Sequence, residues 1–211
     1  MGIATKHVAL ALTGVDARYT IRSMTILPRI SPVAPPYAPE VEQMLAKWMP
    51  PNSEQEPLKL FRTIVRHETL SQRMRPLGSA LLGHGTLPAR TRELLVLRTC
   101  ARCRAEYEWG VHVTAFAAAV GLDEQTIAST VRRSPAEVAA GDSADDAVMR
   151  LADELHDFGT AADATWAELA NRYDERALLE MLAVVGFYHL ISFVANGARV
   201  EREPWAARFP Q

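Results

Sequence analysis

The chain has 211 residues, of which 48% are hydrophobic, and its formal net charge is -2. This length and apolar content suit one globular domain with a sizeable core. The near balance of acidic and basic residues gives no reason to expect nucleic acid or a membrane surface as a partner. No apolar run approaches the roughly 20 residues that span a bilayer. Two closely spaced cysteines favour a reducing cytoplasm over a secreted disulfide framework.

Residues 1–39 are predicted to precede the domain as an N-terminal extension and a proline-rich arm. The stretch HVALALTGV has the outline of a weak signal-peptide core, but it is short and lacks a clear cleavage site. Met24 opens a segment that looks like a natural protein start. Five prolines follow between residues 28 and 39, and because proline fixes φ and lacks an N–H donor, they predict an extended arm. The globular domain is therefore placed at residues 40–211.

From residue 40 onward nearly every segment has helical periodicity. A strong apolar segment opens at Pro88 and includes TRELLVLRTCARC, and EYEWGVHVTAFAAAV either continues it or begins a new helix. No alternating period-2 run bounded by hairpin turns is present, so we expect an all-α fold of about eight helices. The other predicted helices cover residues 40–48, 58–67, 69–82, 143–157, 163–173 and 174–199, with a short one from Asp123.

The stretch TCARCRAEYEWGVH contains a Cys-x-x-Cys pair, Cys100 and Cys103. A redox function would need a thiol pKa lowered by nearby cations, and three arginines surround the pair. However, Cys100 follows the apolar run LLVL, and buried cysteines usually behave as small hydrophobic residues. Packing cysteines are therefore the favoured interpretation, and redox cysteines the alternative. No metal site is expected, because two cysteines and one histidine would still need a fourth ligand.

Glu108 and His112 are four residues apart and therefore adjacent on one helix face. Glu93 could approach His112 only if the chain turns between Cys103 and Tyr107. Two carboxylates and a histidine in an apolar setting would form an acid–base site, since burial and repulsion separate their pKa values. The alternative is that Glu93 pairs with a neighbouring arginine of its own helix.

A polar stripe formed by His189, Ser192 and Asn196 interrupts the otherwise apolar final helix. Buried polar groups need partners. The stripe therefore predicts either the wall of a ligand pocket or a polar packing network.

The segment RTRELLVLRTCARCRAEYEWGVHVTAFAAAVGL resembles the core of the carboxymuconolactone decarboxylase and AhpD-like alkylhydroperoxidase superfamily. ATWAELANRYDERALLEMLAVVGFYHLISFVAN resembles its closing helices, so that the likeness covers about residues 40–200. The resemblance implies an AhpD-like helical bundle. It also implies a homo-oligomer, a trimer or a hexamer.

The peroxidase branch of this family carries the pattern Glu-x11-Cys-x2-Cys-x3-His. Counted from Glu93, the two cysteine positions hold Ala105 and Glu108, and the pattern ends at His112. Cys100 and Cys103 lie five residues too early. The resemblance therefore implies the chemistry of the decarboxylase branch, which needs neither a redox pair nor an organic cofactor.

By this resemblance we expect cofactor-independent decarboxylation or isomerisation of a small carboxylated or carbonyl-bearing molecule. His112 would move the proton at carbon, Glu108 would orient it and Glu93 would complete the relay. The alternatives are a thiol peroxidase using Cys100 and Cys103, and a non-catalytic ligand-binding protein. Arg62, Arg66 or Arg98 is expected to hold the substrate carboxylate, and the pocket residues are expected to be Tyr107, Trp109, His189, Ser192 and Asn196.

Overall fold

A computed structural model describes residues 27–49 and 55–211 of the chain. All regular structure in these residues is helical, which confirms the predicted all-α fold. The segment HVALALTGV and Met24 lie outside the described residues. The ten α-helices of the described part are α1 (Pro39–Trp48), α2 (Lys59–Ile64), α3 (Glu68–Gly83), α4 (Ala89–Arg102), α5 (Glu106–His112), α6 (Glu124–Arg132), α7 (Pro135–Ala139), α8 (Ala144–Phe158), α9 (Asp163–Ala170) and α10 (Glu175–Ala198).

The described helices outnumber the eight expected, partly because of α7. The Ser134 hydroxyl accepts a hydrogen bond from the N–H of Glu137, and the Glu137 carboxylate accepts one from the N–H of Ser134. Pro135 occupies the first turn. These are the features of a capping box, in which both partners satisfy otherwise free N–H groups. The sequence predicted only a short helix from Asp123 in this region, whereas Ser134 and Pro135 begin a second one.

The chain turns sharply between α4 and α5. Arg104 has a φ of 53°, and the N–H of Ala105 bonds to the carbonyl of Cys100, as in a Schellman cap. The chain direction therefore changes before α5 begins, and α5 folds back against α4. After His112 the helix continues as a π-helical turn, Val113–Ala117, and a short 3₁₀ turn, Ala118–Val120.

Helix α4 lies at the centre of the core. All eight residues from Glu93 to Cys100 are buried, because α5, α6, α8 and α10 pack around this helix. Leu94, Leu95 and Val96 have no exposed surface. A polar side chain in this stretch must therefore find its partners on a neighbouring helix.

Helix α10 is long and apolar enough to cross a membrane, by length and composition alone. The expectation that no segment approaches such a length was therefore too strong. Half of the apolar window is buried within the protein, as in the core helix of a globular fold. Its outward face exposes Leu179, Leu190 and Phe193.

Candidate functional site

His112 lies at the centre of a buried cluster of polar side chains. Its Nδ1 is 2.6 Å from Oε2 of Glu93, and its Nε2 is 3.4 Å from Oε1 of Glu108. The hydroxyl of Tyr188 lies 3.1 Å from the same Nε2. Because His112 is only 3% exposed, both ring nitrogens have partners away from bulk water. We call Glu93, Glu108, His112 and Tyr188 the carboxylate–imidazole cluster.

Three helices bring this cluster together. Glu93 comes from α4, Glu108 and His112 come from α5, and Tyr188 comes from α10. The turn at Arg104 is the decisive local feature, since Glu93 and His112 are too distant along one continuous helix. The structure therefore places His112 in contact with both Glu93 and Glu108, and Glu93 also contacts Arg92 of its own helix.

The pKa of His112 is raised to about 9. Burial acts to lower it, but the hydrogen bonds to Glu108 and Glu93 and the negative charges of these groups outweigh burial. The imidazole is therefore protonated at neutral pH. Arg92 places its Nε 3.2 Å from the other oxygen of Glu93. With both carboxylates ionised, Arg92 and His112 would balance the two negative charges of the cluster.

Glu108 is the least satisfied member of the cluster. Its Oε2 is buried and has no hydrogen-bond partner among the described residues. A buried polar atom without a partner carries a free-energy cost, and such atoms merit a functional explanation. The half-buried ring of Phe116 lies 5.0 Å from the His112 ring and forms an apolar wall on this side.

The arginines expected to hold a substrate carboxylate lie elsewhere. Arg98 makes a buried, bidentate pair with Asp153, with both N–O distances at 2.7 Å, and donates to two backbone carbonyls. Arg62 pairs with Glu56, and Arg66 donates to the carbonyl of Ser31. The cation that contacts the cluster is Arg92, which sequence reasoning missed.

Tyr107 and Trp109 direct their polar groups to partners outside the carboxylate–imidazole cluster. The hydroxyl of Tyr107 donates to Glu203 at 2.7 Å, and the indole of Trp109 donates to Thr130 at 3.0 Å. These contacts attach the C-terminal segment and α6 to α5. Gly110 serves the same packing, since a Cβ at this position would overlap the carbonyl oxygen of Ala207.

The polar stripe on α10 faces the two cysteines. The Ser192 hydroxyl lies 3.8 Å from the Cys100 sulfur, and the Asn196 amide donates to the carbonyl of Cys103 at 2.8 Å. His189 contacts His156 of α8, with 2.9 Å between Nε2 and Nδ1. Of the two alternatives for this stripe, the contacts of Ser192 and Asn196 support a packing network, whereas His189 also lines a cleft of about 250 Å³.

Both cysteines are free thiols in an environment that favours the protonated form. Burial raises the pKa of Cys100 well above its ordinary value, and the charge of Glu108 adds to this effect. Burial also raises the pKa of Cys103, although Ser192 and Arg102 act in the opposite direction. The arrangement agrees with packing cysteines and argues against an activated redox pair.

Two clefts adjoin the cysteine end of α4. One, of about 550 Å³, is rich in arginine and includes Arg102 and Arg104. The other, of about 250 Å³, is mainly apolar and includes Leu182 and Val185. His156 lines both clefts, whereas Glu93, Glu108 and His112 line neither.

The sequence also provided no prediction for Tyr188, which contacts His112, or for His156, which contacts His189. A signal existed for Tyr188, since a tyrosine buried in an apolar helix usually seeks a partner for its hydroxyl. His156 stands in the last turn of α8, where a histidine also suits the helix dipole, so its sequence position indicated no contact with α10.

The sequence matches the model of the carboxymuconolactone decarboxylase family over residues 68–154. This range contains α3 and α4, the cluster residues of α5, and most of α8. It therefore includes Glu93, Glu108 and His112 but not Tyr188. No curated protein sequence is significantly similar to the chain.

Solved structures with the same fold come from several proteins. A peroxidase-related protein from Silicibacter sp. TM1040 superposes with a TM-score of 0.70 at 15% identity, over 89% of this chain and 100% of that chain. The debrominase Bmp8 gives 0.65 at 15% identity, over 83% and 92%. An antioxidant-defence protein of the AhpD type from Agrobacterium tumefaciens gives 0.54 at 18% identity, over 63% and 89%. At these identities the likeness establishes the fold alone.

Proposed function

We propose that the chain, whose residues 68–154 match the carboxymuconolactone decarboxylase family, catalyses cofactor-independent proton transfer on a small carboxylated or carbonyl-bearing molecule. Decarboxylation and isomerisation are the two reaction types. One observation carries this proposal: the imidazole of His112 is held between two buried glutamates, and one oxygen of Glu108 has no partner among the described residues. That oxygen is suited to take up a proton from a bound molecule.

The proposed roles follow from the hydrogen bonds of His112. Glu93 fixes Nδ1 at 2.6 Å, so the ring presents its Nε2–H toward Glu108 and Tyr188. In isomerisation, Glu108 removes a proton next to a carbonyl and His112 returns one at the new position. In decarboxylation, the bond to the carboxylate breaks, CO₂ leaves, and His112 protonates the carbanion that remains. Burial strengthens these interactions because it excludes water from the charges.

The surroundings of the cluster favour a small, flat, negatively charged molecule. Arg92 adds a cation whose side chain is 14% exposed, and Phe116 and Tyr188 add aromatic surfaces on two sides of the imidazole. The debrominase of the same fold has been solved with 2,3,4-tribromopyrrole, in a variant that replaces one cysteine by alanine. A planar ring of similar size is therefore a reasonable substrate scaffold for this chain.

The thiol peroxidase alternative has less support. Cys100 is fully buried, and burial raises the pKa of both thiols, whereas peroxide reduction needs an accessible thiolate. The position that carries the second cysteine of the peroxidase pattern holds Glu108. A non-catalytic binding protein has no need of an unpartnered, buried carboxylate oxygen, which costs stability.

The proposal can be tested with the full-length protein and a panel of lactone acids, β-keto acids and unsaturated ring carboxylates. Release of CO₂ and exchange of carbon-bound hydrogen for deuterium, followed by NMR, report the two reaction types. We expect Glu108→Gln and His112→Gln to reduce the rate by about 10²–10⁴-fold, since each removes a proton-transfer group. Glu124→Gln, at an exposed position of α6, is the matched control and should retain full activity.

Hydrogen peroxide serves as the opposing probe in the same assay. We expect native protein to consume none, and the buried thiol of Cys100 to react with a labelling reagent only after unfolding. Peroxide consumption abolished by Cys103→Ser, together with no turnover of any acid, would replace the proposal with the peroxidase alternative. Undiminished acid turnover in Glu108→Gln would remove Glu108 from the mechanism.

A further inference from the structure

Three side chains that can bind a metal converge beside α10, at the residue that follows Tyr188. Cys103 follows the last turn of α4, His156 belongs to α8 and His189 to α10. One ligand atom from each lies within 4.8 Å of the other two. Nδ1 of His156 is 2.9 Å from Nε2 of His189 and 3.9 Å from the sulfur of Cys103. We call these three residues the thiol–imidazole cluster.

The separations of these atoms are close to those of a tetrahedral metal site. Zinc binds nitrogen at about 2.0–2.1 Å and sulfur at about 2.3 Å, so two ligating nitrogens lie about 3.3 Å apart and nitrogen and sulfur about 3.6 Å apart. The His156–His189 distance of 2.9 Å is slightly shorter, and the Cys103–His156 distance of 3.9 Å is slightly longer. Shifts of a few tenths of an ångström, within reach of side-chain rotation, would satisfy both.

Contacts around the cluster fix the ligands in the required orientation. Nδ1 of His189 lies 2.8 Å from the carbonyl of Val185, so it carries the proton and leaves the lone pair of Nε2 facing His156. A carbonyl that accepts from the second nitrogen is the usual outer contact of a metal-binding histidine. Asn196 holds the backbone of Cys103 through its carbonyl at 2.8 Å.

The cluster is reachable and its surroundings tolerate a cation. All three residues are only partly buried, and His156 lines both clefts at this end of α4. The nearby positive charge of Arg102 is compensated, since its guanidinium lies 3.3 Å from Asp153 and 2.6 Å from Asp157. Cys100 is excluded as a ligand, because it is fully buried and in contact with Ser192.

We propose that Cys103, His156 and His189 bind a thiophilic divalent cation, with Zn²⁺ as the preferred ion. The sulfur of Cys103 forms the metal bond and releases its proton to solvent, and each histidine contributes one neutral nitrogen. Three protein ligands leave a fourth position for water or an anion from the arginine-rich cleft, as in zinc sites that bind an exchangeable ligand. This site shares no residue with the carboxylate–imidazole cluster, so it is independent of the proposed acid–base function.

Titration of the reduced, full-length protein with Co²⁺ tests this assignment directly. A thiolate ligand gives a sulfur-to-cobalt charge-transfer band, and tetrahedral coordination gives intense visible bands. We expect both bands to saturate at one Co²⁺ per chain and to disappear when Zn²⁺ is added. Cys103→Ser should remove the charge-transfer band, and His189→Gln should weaken binding at least about tenfold.

Two variants serve as matched controls. Cys100→Ser removes the other thiol, and His84→Gln removes a histidine remote from the cluster; both should keep the full cobalt spectrum. Circular dichroism of each variant reports whether it is folded, and His189→Gln remains informative if Cys103→Ser is not. The assignment would be overturned if the folded wild-type protein showed no saturable binding of Co²⁺ or Zn²⁺. It would also be overturned if the Cys103→Ser and His189→Gln variants bound Co²⁺ as tightly as the wild-type protein.

Discussion

The carboxylate–imidazole and thiol–imidazole clusters both lie against α4 and α10, but they differ in burial and in charge. Helix α4 ends near Cys103 and carries Glu93 ten residues earlier, about 15 Å along its axis. Helix α10 supplies Tyr188 to one cluster and its neighbour His189 to the other. The first cluster is deeply buried and charged, whereas the second is half-buried, lies beside two clefts and contains no carboxylate. The degree of burial and the presence of carboxylates therefore decide which chemistry each histidine can support.

The neighbouring charged groups move the pKa values of His112 and His156 in opposite directions. Two carboxylates raise the pKa of His112 to about 9 despite complete burial. Burial, the charge of Arg102 and the neighbouring His189 lower the pKa of His156. A protonated imidazole is suited to donate protons, and a neutral one is suited to bind metal. The comparison predicts that damage to the first cluster costs stability, while damage to the second costs ligand binding.

The largest effect on stability is expected from Glu93→Ala. This change leaves Nδ1 of His112 without its partner at 2.6 Å and removes the contact with Arg92. Breaking one partner of a buried ion pair typically costs about 3–5 kcal/mol, which urea denaturation would measure as a lowered free energy of unfolding. Cys103→Ser, in the half-buried cluster, should cost less than about 1 kcal/mol. Equal losses in the two variants would contradict the contrast between the clusters.

The next effect is a fall in stability with rising pH that the first cluster should produce above neutrality, whereas the lowered pKa of His156 in the second cluster acts with the opposite sign near pH 6.5. The pKa of His112 is about 9 in the folded protein and 6.5 ordinarily, so the folded state holds the extra proton. Stability from this group is fully present below pH 6.5 and is lost as pH rises through about 9. The free energy of unfolding should therefore fall by at most about 1.4 kcal/mol per pH unit above pH 6.5.

The measurement is best made between pH 6.5 and about 8, because the two thiols contribute with the same sign at higher pH. His112→Gln should remove this fall and leave only the opposite contribution of His156, whereas Cys103→Ser should retain the fall. NMR titration of the His112 imidazole gives an independent value of its pKa. A titration near 6.5 would show that the two glutamates do not hold the proton.

The sequence could predict the helical fold and three of the four residues that meet in the carboxylate–imidazole cluster, but it could not place the second cluster. Periodicity and the family pattern indicated Glu93, Glu108 and His112, because all three lie within one short, recognisable segment. Cys103, His156 and His189 are separated by 53 and 33 residues, so nothing local indicates that they meet. The hydrogen-bond partners of Tyr107 and Trp109 could not be predicted for a related reason, since they lie in the C-terminal segment and in α6.

The smallest effect concerns the turn that separates the two clusters. Arg104 adopts a φ of 53°, in the left-handed region that a residue with a Cβ enters at a cost. Glycine avoids this strain at the same position of a Schellman cap, so Arg104→Gly should raise the free energy of unfolding by up to about 1 kcal/mol. A matched Arg132→Gly change, at the last residue of α6, should instead lower the free energy of unfolding, by less than the roughly 1 kcal/mol that glycine costs inside a helix. If Arg104→Gly instead lowered the free energy of unfolding as much as Arg132→Gly, the sharp turn would depend on the side chain of Arg104. The approach of Glu93 to His112 would then rest on that side chain rather than on backbone geometry.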